Sequence, residues 1–320
     1  MAKKTLFYFL ITFSLFIVSL SSALAAEKYP SREIQLYVAV RPGGTTGIIA
    51  QFLKDSLEKN LGVPIIINYR SGGGGAVGPN ILAKAKPDGY TLGNIDSAKM
   101  VLLPAKMPAK IPYRTTDFDP LAKSHISPGI LVCKADAPWK TLEDLVADAK
   151  KRPGQIAFGA TTNSISHNIM KGILKHAGID MLHIPTKGAG QTITRVLGGN
   201  IAAGMVAAAP VVGQIKAGAL RGLFLTERVS PIPNTPTLKE LGYPPPDFTL
   251  YFGFYAPVGL PKHVREVLVN AIQKTLQDPL LKKKMDDIAV FLDYLPSEDF
   301  TKAVREDYAR LVKLYKTTGK

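Results

Sequence analysis

From Glu33 onward, short apolar runs alternate with stretches of helical spacing, and that alternation restricts the chain to an α/β fold. Ile34, Leu36, Val38 and Val40 recur at every second residue, the period of a strand with one face more deeply buried. Arg41-Pro42-Gly43-Gly44 turns the chain into Thr45-Thr46. Ile49, Phe52, Leu53 and Leu57 then fall at helical spacing, and Gly62 offers a left-handed cap. A strand at 65–68, a glycine-rich loop, a helix from Pro79 to about Lys84 and a strand at 90–95 follow. Strands separated by helices imply a parallel sheet.

The middle of the chain repeats this theme. Residues 129–133 read as a buried strand, and Thr141 with Asp144 three residues later has the form of a capping box. A strand at 156–159 runs into Ala160-Thr161-Thr162-Asn163-Ser164, then into a helix whose inner face is Ile169, Met170, Ile173 and Leu174. Strands at 181–184, 201–207 and 220–225 alternate with helices at 191–197 and 210–217. Proline-rich loops lead to a strand at 248–256 and helices near 262–276, 279–285 and 298–315, with Ser297 as the N-cap of the last. Two similar halves point to two domains. Residues 26–124 and 227–320 form the first, and 125–226 are inserted as the second, with hinges near 125–129 and 226–229. Ligand belongs in the cleft, at the carboxyl ends of the strands.

The N-terminus sets the compartment. Lys3 and Lys4 precede an apolar run from Leu6 to Val18, and Ala23-Leu24-Ala25 ends it, the pattern of a secretory signal peptide cut near Ala25. The mature chain is therefore expected in the periplasm. Cys133 is the single cysteine, so the exported chain is held by its core rather than by an internal disulfide, which about 295 residues allow. Lys3 and Lys4 leave with the signal, taking the formal charge from +15 to +13. Such a charge steers anions. Its lysines and arginines are spread over many helix faces without interleaved aromatics, so small anions are favoured over nucleic acid.

The loop Arg70-Ser71-Gly72-Gly73-Gly74-Gly75-Ala76-Val77-Gly78 contains G-x-G-x-x-G, with Asp96 about 20 residues on, where a dinucleotide site places its ribose partner. It follows the second strand, not the first, in an exported chain, and the structural reading is preferred: glycines for left-handed turns, and Pro79 at the first helical position. No P-loop, nucleophile elbow or H-E-x-x-H motif is present, and the five histidines lack metal-ligand spacing. No cofactor, metal or catalytic residue is expected. The better candidate site is a pair of strand-to-helix turns, Gly43, Gly44, Thr45 and Thr46 in one half, and Ala160, Thr161, Thr162, Asn163 and Ser164 in the other. Both bring small residues, hydroxyls and unspent amides to a positive helix end, which suits an anion. His167, in the first turn after the second loop, joins them, whereas His176 and His183 read as ordinary helix-end and strand residues.

With these residues in view, the chain resembles the Bug-type solute receptors, the substrate-binding proteins of tripartite tricarboxylate transporters. The likeness runs through Tyr29-Pro30-Ser31-Arg32, Pro42-Gly43-Gly44, Asn68-Tyr69-Arg70 with the glycine loop, and Pro87-Asp88-Gly89-Tyr90-Thr91-Leu92. It continues through Asp117-Phe118-Asp119-Pro120, Ile184-Pro185-Thr186-Lys187-Gly188, Leu197-Gly198-Gly199-Asn200 and Ala256-Pro257-Val258-Gly259-Leu260-Pro261. The resemblance implies a two-lobed type II periplasmic binding fold that closes on a small organic carboxylate and delivers it to a membrane permease. It implies ligand contact at 43–46 and 160–164 through backbone groups and ordered water, and a third contact at Ala208, Ala209 and Pro210. Here Gly47 stands where the family has Asp, Gln51 where it has Arg, and Arg41 where it has a small residue or proline. Arg41 is read two ways, as a guanidinium partner of the ligand carboxylate and as a solvent-facing strand end. A monomer is expected. An exported α/β enzyme acting on a small organic acid and a ligand-sensing receptor for a signalling partner stay open as other readings. Tyr251, Phe252 and Phe254 are the aromatic residues that would turn the preference from aliphatic to aromatic acids if they lined the cleft.

Overall fold

A computed structural model describes residues 29–40, 44–162, 164–245 and 250–317. The signal segment, Arg41, Pro42, Gly43 and Asn163 lie outside the described residues. In chain order the first lobe opens with β1 (Ile34–Val38), α1 (Gly44–Leu61), β2 (Ile65–Tyr69), α2 (Val77–Ala83), β3 (Thr91–Asp96), α3 (Leu103–Lys106) and β4 (Phe118–Ile126). The second lobe supplies β5 (Gly129–Lys134), α4 (Leu142–Lys151), β6 (Ala157–Ala160), α5 (Ile165–Ala177), β7 (Leu182–Pro185), α6 (Ala189–Leu197), β8 (Ala203–Ala207), α7 (Val212–Lys216) and β9 (Leu220–Leu225). The chain then returns with β10 (Tyr251–Pro257), α8 (Lys262–Leu276), α9 (Pro279–Asp287), β11 (Phe291–Pro296) and α10 (Ser297–Thr317).

Two sheets result, of order β11-β4-β10-β3-β1-β2 and β7-β6-β8-β5-β9. Strand direction decides where their loops point. β1, β2 and β3 are parallel, so Val38, Tyr69 and Asp96 end at one edge. β10 is antiparallel to both β3 and β4, so β4 shares the direction of β3 and delivers Ile126 to that same edge. Three residues later Gly129 opens β5, opposite Ala207 at the end of antiparallel β8. β6 is parallel to β7 and β8, so Ala160 and Pro185 also end beside the crossover. The carboxyl ends of the parallel strands in both lobes therefore lie at the sheet edges beside the crossing.

Each sheet is covered on both faces. Leu36, Leu53, Leu57, Phe254, Leu268 and Ile272 join one face of the first sheet to α1 and α8. Each such fully buried side chain contributes about 1.5–3 kcal/mol. A second cluster carries Ile95, Tyr255 and Phe300 through to Leu131, Phe158 and Met170 of the other lobe. Cys133 is buried in β5, and burial pushes its thiol up to about 11. The predicted capping box of α4 is present: Asp144 N–H donates to Thr141 Oγ1 at 3.1 Å, and Asp144 Oδ2 accepts the Thr141 amide at 3.0 Å.

Four local expectations change. α2 begins at Val77, so Pro79 is its third residue, not its first. The Ser297 hydroxyl does not cap α10; it donates to the Pro120 carbonyl and accepts from Arg265 at 2.7 Å. β4 and β11 are strands that periodicity alone did not reveal. Finally, the segment after β9 stays with the second sheet, where Leu225 N–H donates to Pro236 O and Leu238 N–H to Leu225 O, both at 2.8 Å. The return to the first sheet comes at β10, later than residue 227.

Where the chain crosses between the sheets, Ser127 N–H donates to Leu250 O at 3.1 Å, and beside it the start of β5 is tied to the end of β9. Gly129 N–H donates to Thr226 Oγ1, and Thr226 N–H returns a bond to Gly129 O, each at 2.8 Å. A Cβ at Gly129 would stand 2.6 Å from Met205 Cε, the tip of a flexible side chain, and 3.3 Å from Thr226 Cγ2. Just before it, Asn94 Nδ2 donates to Ser124 Oγ at 3.1 Å, and Ser124 Oγ shares a hydrogen bond with His125 Nδ1 at 3.0 Å. The His125 ring is fully buried and stacked on Phe252 at 4.3 Å.

Candidate functional site

The first-lobe half of the candidate site predicted from the sequence falls at the start of α1. Thr45 and Thr46 are half-buried in its first turn, which holds no acidic residue. A helix start leaves its leading amides without intrahelical partners, so this end is electropositive. Gly47 is buried beneath Tyr69: a Cβ at 47 would lie 3.6 Å from the phenol oxygen and 3.7–4.0 Å from ring carbons. Tyr69, from the end of β2, thus fills the space into which a larger residue at 47 would extend. Its hydroxyl reaches the Gly47 carbonyl at 3.5 Å.

The glycine loop cradles a lysine rather than a phosphate. Gly72, Gly73, Gly74 and Gly75 all have positive φ. A Cβ at Gly75 would lie 2.9 Å from Lys99 Cε and 3.1 Å from its Cδ and Cγ. The Lys99 ammonium is ion-paired with Asp96, which is 4 % exposed. The carboxylate spaced for a ribose is therefore spent inside the lobe, and the G-x-G-x-x-G pattern serves backbone packing. Gly78 completes it, since a Cβ there would stand 2.9 Å from Ala39 Cβ.

In the second lobe Ala160 is buried at the end of β6, Thr161 is half-exposed and Thr162 exposed. Ser164 caps α5, its Oγ accepting the His167 amide at 3.3 Å, while Ser164 N–H donates to Thr161 O at 3.1 Å. The imidazole of His167 is held down to about 4, first by burial and then by the nearby His183, Lys171 and Lys106. It is therefore neutral at pH 7. His183, read from the sequence as an ordinary strand residue, is part of this structure. Its ring stacks on His167 at 4.0 Å and 16°, and its Nε2 lies 3.0 Å from the Ala160 carbonyl. The pairing of β7 with β6, not local sequence, brings it there.

The third predicted contact is divided. Ala208 is fully buried and its N–H is bound to Pro128 O at 2.8 Å. Ala209 packs against the apolar cluster of the first lobe, where the second-lobe turn meets it. Tyr251, Phe252 and Phe254 do not line an open cleft: they are 6 %, 5 % and 0 % exposed within the sheet packing. Among the described residues no group of three His, Cys, Asp or Glu side chains is placed to hold a metal ion, and no helix is long and apolar enough to cross a membrane.

Comparison with known proteins agrees with this geometry. Residues 49–319 match the family model described as tripartite tricarboxylate transporter family receptor. Protein BugT of Bordetella pertussis is 32 % identical over 262 residues, covering 81 % of this chain and 80 % of that one. Among solved structures, a periplasmic transporter superimposes with TM-score 0.80 at 30 % identity, over 91 % of this chain and 98 % of its own. A TctC solute-binding protein from Polaromonas gives 0.74 at 27 %, over 91 % and 100 %. Two more distant relatives share the fold, MatC from Rhodopseudomonas palustris with bound malate (TM-score 0.75, 21 % identity, 90 % and 100 % covered) and an R. palustris protein with adipate (0.77, 23 %, 91 % and 99 %).

Proposed function

Because the chain belongs to the tripartite tricarboxylate transporter receptor family, and is a solute-binding receptor of that kind, we propose that its ligand is a small aliphatic carboxylate gripped between the two lobes. The observation that carries this reading is the convergence of strand ends. The β1 end that leads to α1 and the β6 end that leads to α5 belong to different sheets yet lie at edges beside the same crossing. A carboxylate suits the electropositive starts of two helices. The malate and adipate held by the two distant relatives are of this class.

In this reading residues 26–124 and the chain after the second crossing form one lobe. Residues 125–226, with the strap that leans on β9, form the other. The exported chain, cut near Ala25, works as a monomer in the periplasm, and ligand favours the closed arrangement that the permease recognises. The ligand is carried unchanged. A thermal-shift panel of succinate, malate, adipate, citrate and benzoate tests it. An acid present at 100 times its Kd adds about 2.7 kcal/mol, and the aliphatic acids should raise the midpoint. A flat response to all five, or conversion of a bound acid by the pure protein, overturns the proposal.

A further inference from the structure

Ala160 stands at the hand-over from β6 to the second-lobe loop, and its carbonyl accepts two hydrogen bonds. One comes from the Thr186 amide at 3.2 Å. The other comes from His183 Nε2 at 3.0 Å. A carbonyl only accepts, so this contact places the His183 proton on Nε2. The same imidazole lies between two rings. Phe158, its partner in the β6–β7 register, is 5.2 Å away on the sheet side. His167 is stacked on it at 4.0 Å. His167 in turn gives its amide to Ser164 Oγ, the cap of α5. One side chain on edge strand β7 therefore touches both ends of the loop: the last carbonyl of β6 by a hydrogen bond, and the first turn of α5 by a ring stack.

We propose that His183 is the positioning residue of the second-lobe ligand loop, holding its two ends, the Ala160 carbonyl and the first turn of α5, in fixed relation. This rests on the ligand reading given above. Packing alone would be met by any flat ring at 183. The hydrogen bond would be met by any donor of similar reach. The assignment requires both, and it accounts for an imidazole at a position where neither the sheet nor solvent demands one. Because the Ala160 carbonyl has two partners, loss of one leaves the strand ladder through Thr186 intact. The effect should thus be confined to the loop and the α5 start.

Two substitutions separate the contributions. His183→Phe keeps a ring and removes the donor, whereas His183→Gln keeps a donor and removes the ring. Amide hydrogen exchange in the ligand-free protein is the primary readout. In His183→Phe, exchange across 161–167 should accelerate about tenfold while β5 is unchanged, and His183→Gln should recover part of that protection. Nitrogen NMR of the wild-type imidazole should show the Nε2–H tautomer, a measurement that survives if a variant does not fold. The acid giving the largest thermal shift in the wild type should bind His183→Phe about tenfold more weakly, which is about 1.4 kcal/mol. Wild-type-like exchange in His183→Phe, equal loosening of β5, or an Nδ1–H tautomer overturns the role of His183. Failure of all five acids to bind the wild type counts instead against the ligand class, and leaves the exchange result to decide His183.

Discussion

Replacing Gly75 with alanine tests whether the glycine loop exists to seat a lysine stem. Gly75 has φ +102°, a region L-residues enter at a cost of about 1–3 kcal/mol. The added methyl would also meet Lys99 Cε at 2.9 Å and Cδ and Cγ at 3.1 Å, closer than carbon atoms normally approach. Lys99 cannot simply swing away, because its ammonium is held by Asp96 and their side chains are only 18 % and 6 % exposed. Stranding a buried carboxylate outright costs about 3–5 kcal/mol; partial displacement costs a fraction of that. Gly75→Ala should therefore destabilise by about 2–5 kcal/mol. Gly74 is the control: at φ +66° with no atom within 4 Å of a new Cβ, Gly74→Ala should cost only about 1–2 kcal/mol. Urea denaturation of both, and of each in a Lys99→Ala background, reads the difference. If Gly75→Ala costs no more than Gly74→Ala, or if its cost is the same with and without the lysine stem, the packing explanation is wrong.

Two further outcomes follow from single residues. The two readings of Arg41 are separated by Arg41→Ala: as guanidinium partner its loss should weaken binding of the best carboxylate by at least tenfold, since a charged hydrogen bond contributes about 1.5–3 kcal/mol, whereas a change within twofold makes it a solvent-facing strand end. His125 is held neutral by burial, with its pKa lowered to about 3, against about 6.5 in an unfolded chain. Below pH 6.5 only the unfolded state takes up that proton, so stability falls on acidification toward pH 3. Between pH 6 and 5 the wild type should lose roughly 1 kcal/mol more than His125→Phe, and equal pH slopes in denaturant melts would exclude His125 as the origin.

What the sequence disclosed follows from how local each feature is. β1 was readable because Ile34, Leu36 and Val38 alternate cleanly, and they are the residues buried at 0–1 %. The Thr141–Asp144 box lies within one turn and formed as read. β4 was hidden because Asp119, Pro120 and Lys123 interrupt its apolar run. Pro120 is tolerated there because β11 pairs only as far as Ala122. β11 carries Asp293, Tyr294 and Pro296 and is half-buried throughout most of its length, so no period stands out. Ser297 looked like a cap, but a tertiary carbonyl at Pro120 claimed its hydroxyl. His183 was illegible for the same reason: it meets Ala160, 23 residues earlier, only through the parallel register of β6 and β7. Tyr69 meets Gly47 across 22 residues in the same manner.

The crossing geometry also limits what the ligand must supply. Moving a two-state hinge from mostly open to mostly closed, from 1:99 to 99:1, takes about 5.5 kcal/mol of differential binding. Only contacts made in the closed form count toward it, so the lobe that binds first contributes affinity and the other contributes closure. Two or three charge-assisted hydrogen bonds from the second loop, at about 1.5–3 kcal/mol each, bracket that requirement. They do so only if the loop is already ordered, because ordering a residue costs about 1–2 kcal/mol. Left free, the segment from Thr161 to Ser164 would consume the whole of the closing energy. A side chain that secures the loop from edge strand β7 therefore matters to the hinge even though it lies outside it. A rigid second loop and a cleft that closes on a small carboxylate are thus one requirement seen at two scales.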